Sequence, residues 1–260
     1  MIFYLSCTGN TKWAAQTLGA AIDDTIINIL DTEEAEMTYT LAENERIGFC
    51  FPVHGWRPPK VLRSFISRLH ISNAAGHYCY AVATAGDTVG EAVDILKGDL
   101  ACRDILLNSA FSLIMPESYV GLPFMDVDTP EKEAAKKAKA EADMKQISGI
   151  VERKEAGVYE VTIGRWPKIN SRLIGGLFTD RMITDKPFRV TADRCLKCGA
   201  CVKACPTGNV TPDGSGMPQW NHDGSCLACF ACYHHCPTHA IEYGRRTKKK
   251  GQYFFDRRKI

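Results

Sequence analysis

Ile2-Phe-Tyr-Leu-Ser6-Cys7-Thr8-Gly9-Asn10-Thr11, continued by a helix-forming stretch to Ala21, is the part of this chain whose reading decides the fold. Its first residues are apolar and aromatic and read as a short strand. Gly9-Asn10 ends that run. Three hydroxyl side chains, Ser6, Thr8 and Thr11, then sit in a loop that feeds a helix N-terminus. Backbone N–H groups at such a turn, with the positive end of the helix dipole behind them, make a place for a phosphate. No Lys or Arg is needed in the loop, unlike the lysine of a nucleotide P-loop. The competing reading is plain helix capping, which favours the same residue types.

Further along, apolar runs recur at Ile26–Ile29, Arg46–Phe51, Tyr78–Thr84 and Ser109–Met115. Helical stretches fall near 59–69 and 89–100, and Thr129-Pro130 caps and starts a last helix. Strands alternating with helices predict an α/β doubly wound domain over residues 1–152. A parallel five-stranded sheet in the order 2-1-3-4-5 is expected, with its ligand at the carboxyl ends of the strands.

The loop Ser6-Cys7-Thr8-Gly9-Asn10-Thr11 resembles the FMN phosphate loop of flavodoxins. The resemblance implies FMN, with Ser6, Thr8, Asn10 and Thr11 as phosphate binders and Cys7 and Gly9 in the same turn. It also directs attention to His54-Gly55-Trp56 after the third strand and Thr84-Ala85-Gly86 after the fourth. Trp56 is expected to stack on the isoalloxazine, or else to cover core as aromatics do. His54 is expected near the flavin. The second loop carries no aromatic, so Tyr119, after strand five, stands as a substitute.

Two matching runs dominate the second half: Cys195-Leu-Lys-Cys198-Gly-Ala-Cys201-Val-Lys-Ala-Cys205-Pro206 and Cys226-Leu-Ala-Cys229-Phe-Ala-Cys232-Tyr-His-His-Cys236-Pro237. C-x2-C-x2-C-x3-C-P is the two-cluster ferredoxin spacing, in which the fourth cysteine of each run serves the other cluster. One 4Fe–4S cluster is therefore expected on Cys195, Cys198, Cys201 and Cys236, the second on Cys226, Cys229, Cys232 and Cys205. Zinc sites have no use for a third cysteine at this spacing. A disulfide framework belongs to short exported chains, and Met-Ile-Phe-Tyr-Leu-Ser at the N-terminus does not read as an export signal. Cys50, Cys79 and Cys102 read as packing residues, and Cys7 as a packing choice or an oxidation-sensitive spot. His234, His235 and His239 read as solvent or packing residues.

A hydrophobic content of 45% in 260 residues allows one large or two ordinary cores. No apolar run reaches the roughly 18 residues of a membrane helix, and abundant thiols point to a reducing, cytoplasmic and anaerobic setting. The net charge of +2 hides an asymmetry: residues 245–260 carry eight Lys/Arg against Asp256. This basic tail reads as solvated, with neutralisation of cluster charge or attraction of an acidic partner as alternatives. The near-neutral whole argues against nucleic-acid binding. Residues 153–187 are expected as a linker packing between the domains, and 188–244 as a small α+β ferredoxin domain with strands near 188–191 and 240–243.

Taken together, the chain resembles flavodoxin–ferredoxin fusion proteins of anaerobes, down to the Met115-Pro-x-x-Tyr119 segment. The resemblance implies FMN and two 4Fe–4S clusters, and a low-potential electron-transfer flavoprotein exchanging electrons with protein redox partners. A flavin-dependent reductase of an organic substrate, with His54 or Tyr119 as proton donor, is one alternative. A subunit of a larger oxidoreductase or hydrogenase is the other. No G-x-G-x-x-G dinucleotide fingerprint is present.

Overall fold

In the computed structural model, which describes residues 1–32 and 37–257, the N-terminal half forms β1 (Ile2–Tyr4), α1 (Asn10–Ile22), β2 (Ile26–Asn28), β3 (Met37–Tyr39), β4 (Ile47–Pro52), α2 (Lys60–Arg68), β5 (Leu69–Ile71), β6 (Cys79–Ala85), α3 (Ala92–Ala101), β7 (Leu107–Ile114), α4 (Pro130–Glu152) and β8 (Tyr159–Glu160). The central strands β1, β4 and β6 are apolar and largely buried because helices cover both faces of the sheet. Leu62, Phe65 and Ile66 of α2 and Leu96 and Leu100 of α3 pack on one side. Leu18 of α1 and Met144 and Ile147 of α4 pack on the other. Thr129 opens α4 by accepting the Lys132 amide at 3.4 Å, with Pro130 in the first turn.

All pairings in the main sheet are parallel, in the order β2-β1-β4-β6-β7-β8. The direction of winding reverses at β1, so the loops after β1 and β4 flank the crevice at the carboxyl edge. Two features depart from the expected five strands. β3 and β5 pair with each other in a separate small sheet, and β8 adds a sixth strand to the main one. β8 is two exposed residues held by backbone bonds such as Gly157 N–H to Asn108 O at 2.8 Å. Nothing so short leaves an alternation to read in sequence.

Residues 153–187 are accordingly more than a linker. After β8 comes a continuous helical run, with a wide π turn over Ile169–Ile174, α5 (Gly175–Leu177) and a second π turn over Phe178–Met182. It is tied to the first domain by Arg57 Nη1 to Ser171 O at 3.0 Å, by Ser171 Oγ accepting the Glu91 amide at 2.8 Å, and by a two-pronged Arg172–Glu91 pair. Gly55 and Gly175 allow the closest approach: a Cβ on Gly55 would lie 2.8 Å from the Phe178 ring.

The C-terminal unit holds β9 (Phe188–Val190), α6 (Ala200–Ala204), β10 (Val210–Pro212), β11 (Pro218–Trp220), α7 (Ala231–His234) and β12 (Ile241–Tyr243). β9 pairs antiparallel with β12 and β10 with β11. Its core is aromatic, with Phe188 and Trp220 stacked at 5.1 Å and Phe230 and Tyr243 meeting edge-on at 5.0 Å.

The basic tail is anchored rather than free, with Thr247, Gln252 and Tyr253 buried, while Arg245, Arg246, Lys248, Lys249 and Arg257 stay exposed as the sequence expectation had it; Arg258 and Lys259 lie outside the described residues. Residues 245–257 form a strap across both domains. Lys250 Nζ is taken up by the carbonyls of Val120, Leu122 and Met125, and Arg246 donates to Gly121 O. Gln252 donates to Tyr233 O and Cys236 O. Phe255 stacks on Trp13 of α1 at 5.3 Å, and its amide donates to Thr8 O at 2.8 Å. Carbonyl oxygens, not acidic side chains, take these cations, so a count of charges could not foresee the fit.

Candidate cofactor site

The loops at the carboxyl edge of the main sheet enclose a cavity of about 630 Å³, within the range of small-molecule and cofactor pockets. Ser6, Cys7, Thr8, Asn10, Thr11, His54, Gly55, Trp56, Thr84, Ala85, Gly86 and Tyr119 all line it. Gly9 does not. It adopts φ 97° ahead of α1 and its Cα faces Phe255, where a Cβ would come within 2.7 Å. Its part is to let the strap lie against the loop.

The hydroxyl loop divides its labour. Thr11 Oγ1 and Thr84 Oγ1 share a buried hydrogen bond of 2.7 Å, pinning the first loop to the end of β6. Asn10 is occupied on both sides: Nδ2 donates to Pro116 O at 3.0 Å, and Oδ1 accepts from the Tyr253 hydroxyl at 2.6 Å. Thr8 Oγ1 donates to Ser118 Oγ at 3.3 Å. Ser6 Oγ is buried with no hydrogen-bond partner. A buried hydroxyl without a partner costs stability unless a ligand completes it. The cavity thus offers Ser6, Thr8 and Ser118, together with the first amides of α1, to an anionic oxygen. Asn10 and Thr11 hold the loop in shape.

On the second loop, Trp56 sits at φ 58° and its indole N–H donates to Thr88 Oγ1 at 3.1 Å. His54 lines the cavity, and desolvation pushes its pKa down to about 4. It is therefore neutral at physiological pH. Glu117, which the sequence reading passed over, also faces the cavity. Burial raises its carboxyl above the usual range although its Oε1 accepts the Ser118 and Tyr119 amides at 2.9 and 2.8 Å. Burial likewise raises the Tyr119 hydroxyl. Ile174, Leu177, Phe178 and Met182 from the helical run supply an apolar wall. Their apolar spacing at Ile169, Leu173, Ile174 and Leu177 was the signal available in sequence.

The remaining wall comes from the other domain: Leu227, Ala228 and Cys229 of the second cysteine run. Here Cys7 of the hydroxyl loop borders the same cavity as Cys229; the neighbouring Cys229 and burial raise the Cys7 thiol, and Cys229 is lowered. Cys7 and Cys229 are both partly exposed, and both line the cavity.

Around the cysteines the surroundings also divide. Cys205, Cys226, Cys229 and Cys232 line one small second cavity together with Trp220. The Trp220 indole N–H is buried there without a partner. Beside burial, the neighbouring Cys236 and Cys198 also raise Cys201. Amides point at two sulfurs, from Ala228 to Cys226 at 3.3 Å and from Ala240 to Cys236 at 3.2 Å. Burial pushes Cys201 up to about 11 and Cys226 up to about 12, so a cationic centre is required to hold them as thiolates. Among the described residues, no three Cys, His, Asp or Glu side chains close on a point as a single ion demands. Two quartets of thiol side chains, with amides aimed at Cys226 and Cys236, are a donor set that four-iron cubes take.

Cys50 and Cys79 are buried in β4 and β6, with thiols raised by burial, and Cys102 is exposed. His234, read from sequence as solvent or packing, is buried. Its Nδ1 accepts the Tyr253 amide at 3.1 Å and its Nε2 donates to Ser118 O at 2.7 Å. His235 stacks on Phe254 at 4.0 Å.

Residues 188–237 match the 4Fe-4S dicluster domain family. No curated protein matches the chain. A putative flavoprotein from Bacteroides uniformis is similar in structure at 21% identity and TM-score 0.35, over 44% of this chain and 88% of that one. Rubredoxin oxygen:oxidoreductase from the anaerobe Desulfovibrio gigas gives 12% identity and TM-score 0.32 over 58% of this chain and 36% of that one. A flavodiiron core from Synechocystis gives 17% identity and TM-score 0.31 with the same coverage; the matched region is about a third of the length of these last two. The chain joins a parallel α/β domain to an iron–sulfur domain. No described helix is long and apolar enough to cross a membrane.

Proposed function

We propose that this protein is a low-potential electron carrier that passes electrons between FMN in the 630 Å³ cavity and two 4Fe–4S clusters, and on to protein redox partners in a reducing, cytoplasmic setting. One observation carries the reading: the cavity walled by the hydroxyl loop is also walled by Cys229 of the iron–sulfur domain. Ser6, Thr8 and Ser118 would hold the phosphate, and Trp56, Gly86 and Tyr119 would border the ring. Cys195, Cys198, Cys201 and Cys236 would hold one cluster and Cys226, Cys229, Cys232 and Cys205 the other. The shared cavity of the second set, with its unpartnered Trp220 N–H, supports the exchange of fourth ligands. Flavin supplies a centre that handles one or two electrons, and cubes supply single-electron steps. The chain's own residues bind, orient and exclude water; neutral His54 supplies no proton near pH 7.

A second reading, a subunit docked in a larger oxidoreductase, is favoured by exposed Trp166, Ile169, Leu173 and Leu177 on the helical run. Protein reconstituted without oxygen is expected to bind about eight iron, eight sulfide and one FMN per chain. Photoreduced flavin is expected to reduce the clusters at a rate independent of protein concentration. Zinc in place of iron, or strictly second-order transfer, overturns the proposal.

A further inference from the structure

Among the described residues of the cysteine domain, the Trp220 indole N–H is the one buried side-chain polar group left without a hydrogen-bond partner. Its position is fixed from two sides. The β10–β11 hairpin sets its backbone opposite Val210, and the Phe188 ring stacks on it at 5.1 Å with 5° between the planes. A buried indole N–H ordinarily finds an acceptor, and leaving it bare costs stability. Trp220 borders the small cavity, whose other polar side chains are Thr207, Asn209 and the thiols of Cys205, Cys226, Cys229 and Cys232. Asn209 is already committed: Nδ2 donates to Asp185 at 3.0 Å, and Oδ1 accepts from Ser225 at 3.2 Å. Thr207 Oγ1 lies against the Cys205 sulfur at 3.8 Å. Sulfur is the acceptor that remains.

We infer that Trp220 donates its indole N–H to a sulfur of the cluster held by Cys205, Cys226, Cys229 and Cys232, and so sets the potential of that centre apart from its twin's. This rests on the two-cluster reading above. A hydrogen bond to a cluster sulfur offsets negative charge and favours the reduced, more negative form, which raises the reduction potential. The first run has no such donor at the matching position. Trp220 stands as many residues ahead of Cys226 as Arg189 stands ahead of Cys195. Arg189 is exposed, and its guanidinium is spent on the carbonyls of Lys186 and Phe188. The two runs are equal in ligand spacing, and the side chain just upstream makes them unequal. The hydrogen bond biases an electron towards the set that includes Cys229, beside the large cavity.

Trp220→Phe in the cofactor-loaded full chain keeps a ring against Phe188 and removes the N–H. Redox titration followed by electron paramagnetic resonance is expected to show the midpoint of the Cys226–Cys229–Cys232–Cys205 cluster lowered and the other midpoint unmoved. Iron and FMN content should match the parent protein. A second measurement separates donation from packing. With tryptophan isotopically labelled at the indole nitrogen, pulsed resonance of the reduced parent is expected to show that nitrogen coupled to the same cluster, and the coupling should vanish in Trp220→Phe. An unmoved midpoint overturns the inference, as does an equal shift of both clusters. Absence of the indole coupling in the parent overturns it too, since a lowered midpoint would then report packing alone. Where Trp220→Phe fails to hold iron, the labelled parent still decides. If the parent protein itself assembles no cluster on these four cysteines, iron analysis reveals it before any titration, and the underlying reading has failed instead.

Discussion

The two cysteine runs share their spacing residue for residue, yet the chain surrounds them differently. In the first, Cys198 is exposed and Leu196 beside it is 66% exposed. In the second, Ala228 and Phe230 are 3% and 1% exposed, and Cys229 turns to the large cavity. Spacing decides what a run can bind; its neighbours decide what the bound centre can reach. Cys229 faces the flavin-type cavity, and Cys198 faces solvent. On the proposed function this orders the path as cavity, Cys229 set, Cys198 set and external partner.

The largest effect that can break this comparison comes from Cys205→Ser. Cys205 belongs to the first run by sequence but lines the small cavity of the second set. The variant is expected to lose about half its iron, from the inner cluster, with the resonance of the outer cluster retained. Loss of the outer cluster alone would assign Cys205 to its own run and erase the inner–outer order. Iron analysis and resonance spectra of the reduced protein read the outcome.

A middle-sized effect sharpens the contrast by loosening only the inner side. The Tyr253 hydroxyl is buried against Asn10 Oδ1 at 2.6 Å, while its amide meets His234 of α7. Tyr253→Phe keeps the ring under Lys137 Nζ and removes the donor. Leaving a buried acceptor unsatisfied costs about 1–3 kcal/mol. Urea denaturation is expected to report that loss, and FMN should dissociate faster because Asn10 shapes the hydroxyl loop. A change under about 0.5 kcal/mol with unaltered flavin release would mean the strap merely rests on the loop.

How far the sequence carried the structure follows from the range of each signal. Cysteine spacing and the Ser6–Thr11 loop are local, and local geometry decides what they can do, so both were legible. The four crevice loops followed from strand-end positions alone. The strap was not legible because its cations end on carbonyls of 120–125, more than a hundred residues away. The aromatic triplet Tyr253-Phe254-Phe255 was the one hint that such a charge run had something to bury. Asn10 reads as a phosphate ligand until Pro116 and Tyr253 are seen to occupy it. Ser118 and Glu117 entered the cavity through a loop with no periodicity to place it.

The smallest effect concerns the wall opposite the cysteines. The ring of His54 faces the cavity, and desolvation holds its pKa at about 4, below the ordinary 6.5. A group depressed in the folded state favours folding fully above its unfolded pKa, and that contribution is lost as pH falls from about 6.5 towards 4. Between pH 7 and 5.5 the unfolded chain takes up about two-thirds of a proton that folded His54 refuses, a loss of about 1 kcal/mol. His54→Asn is expected to be less acid-sensitive by that amount in urea titrations of the cofactor-loaded protein. Carboxylates such as Asp128 and Asp185, held low by Lys132 and His222, contribute equally in both proteins and cancel in the difference. Identical acid sensitivity in the two would mean that His54 is hydrated from the cavity, and that this wall, unlike the Cys229 wall, stays wet when the cofactor is bound.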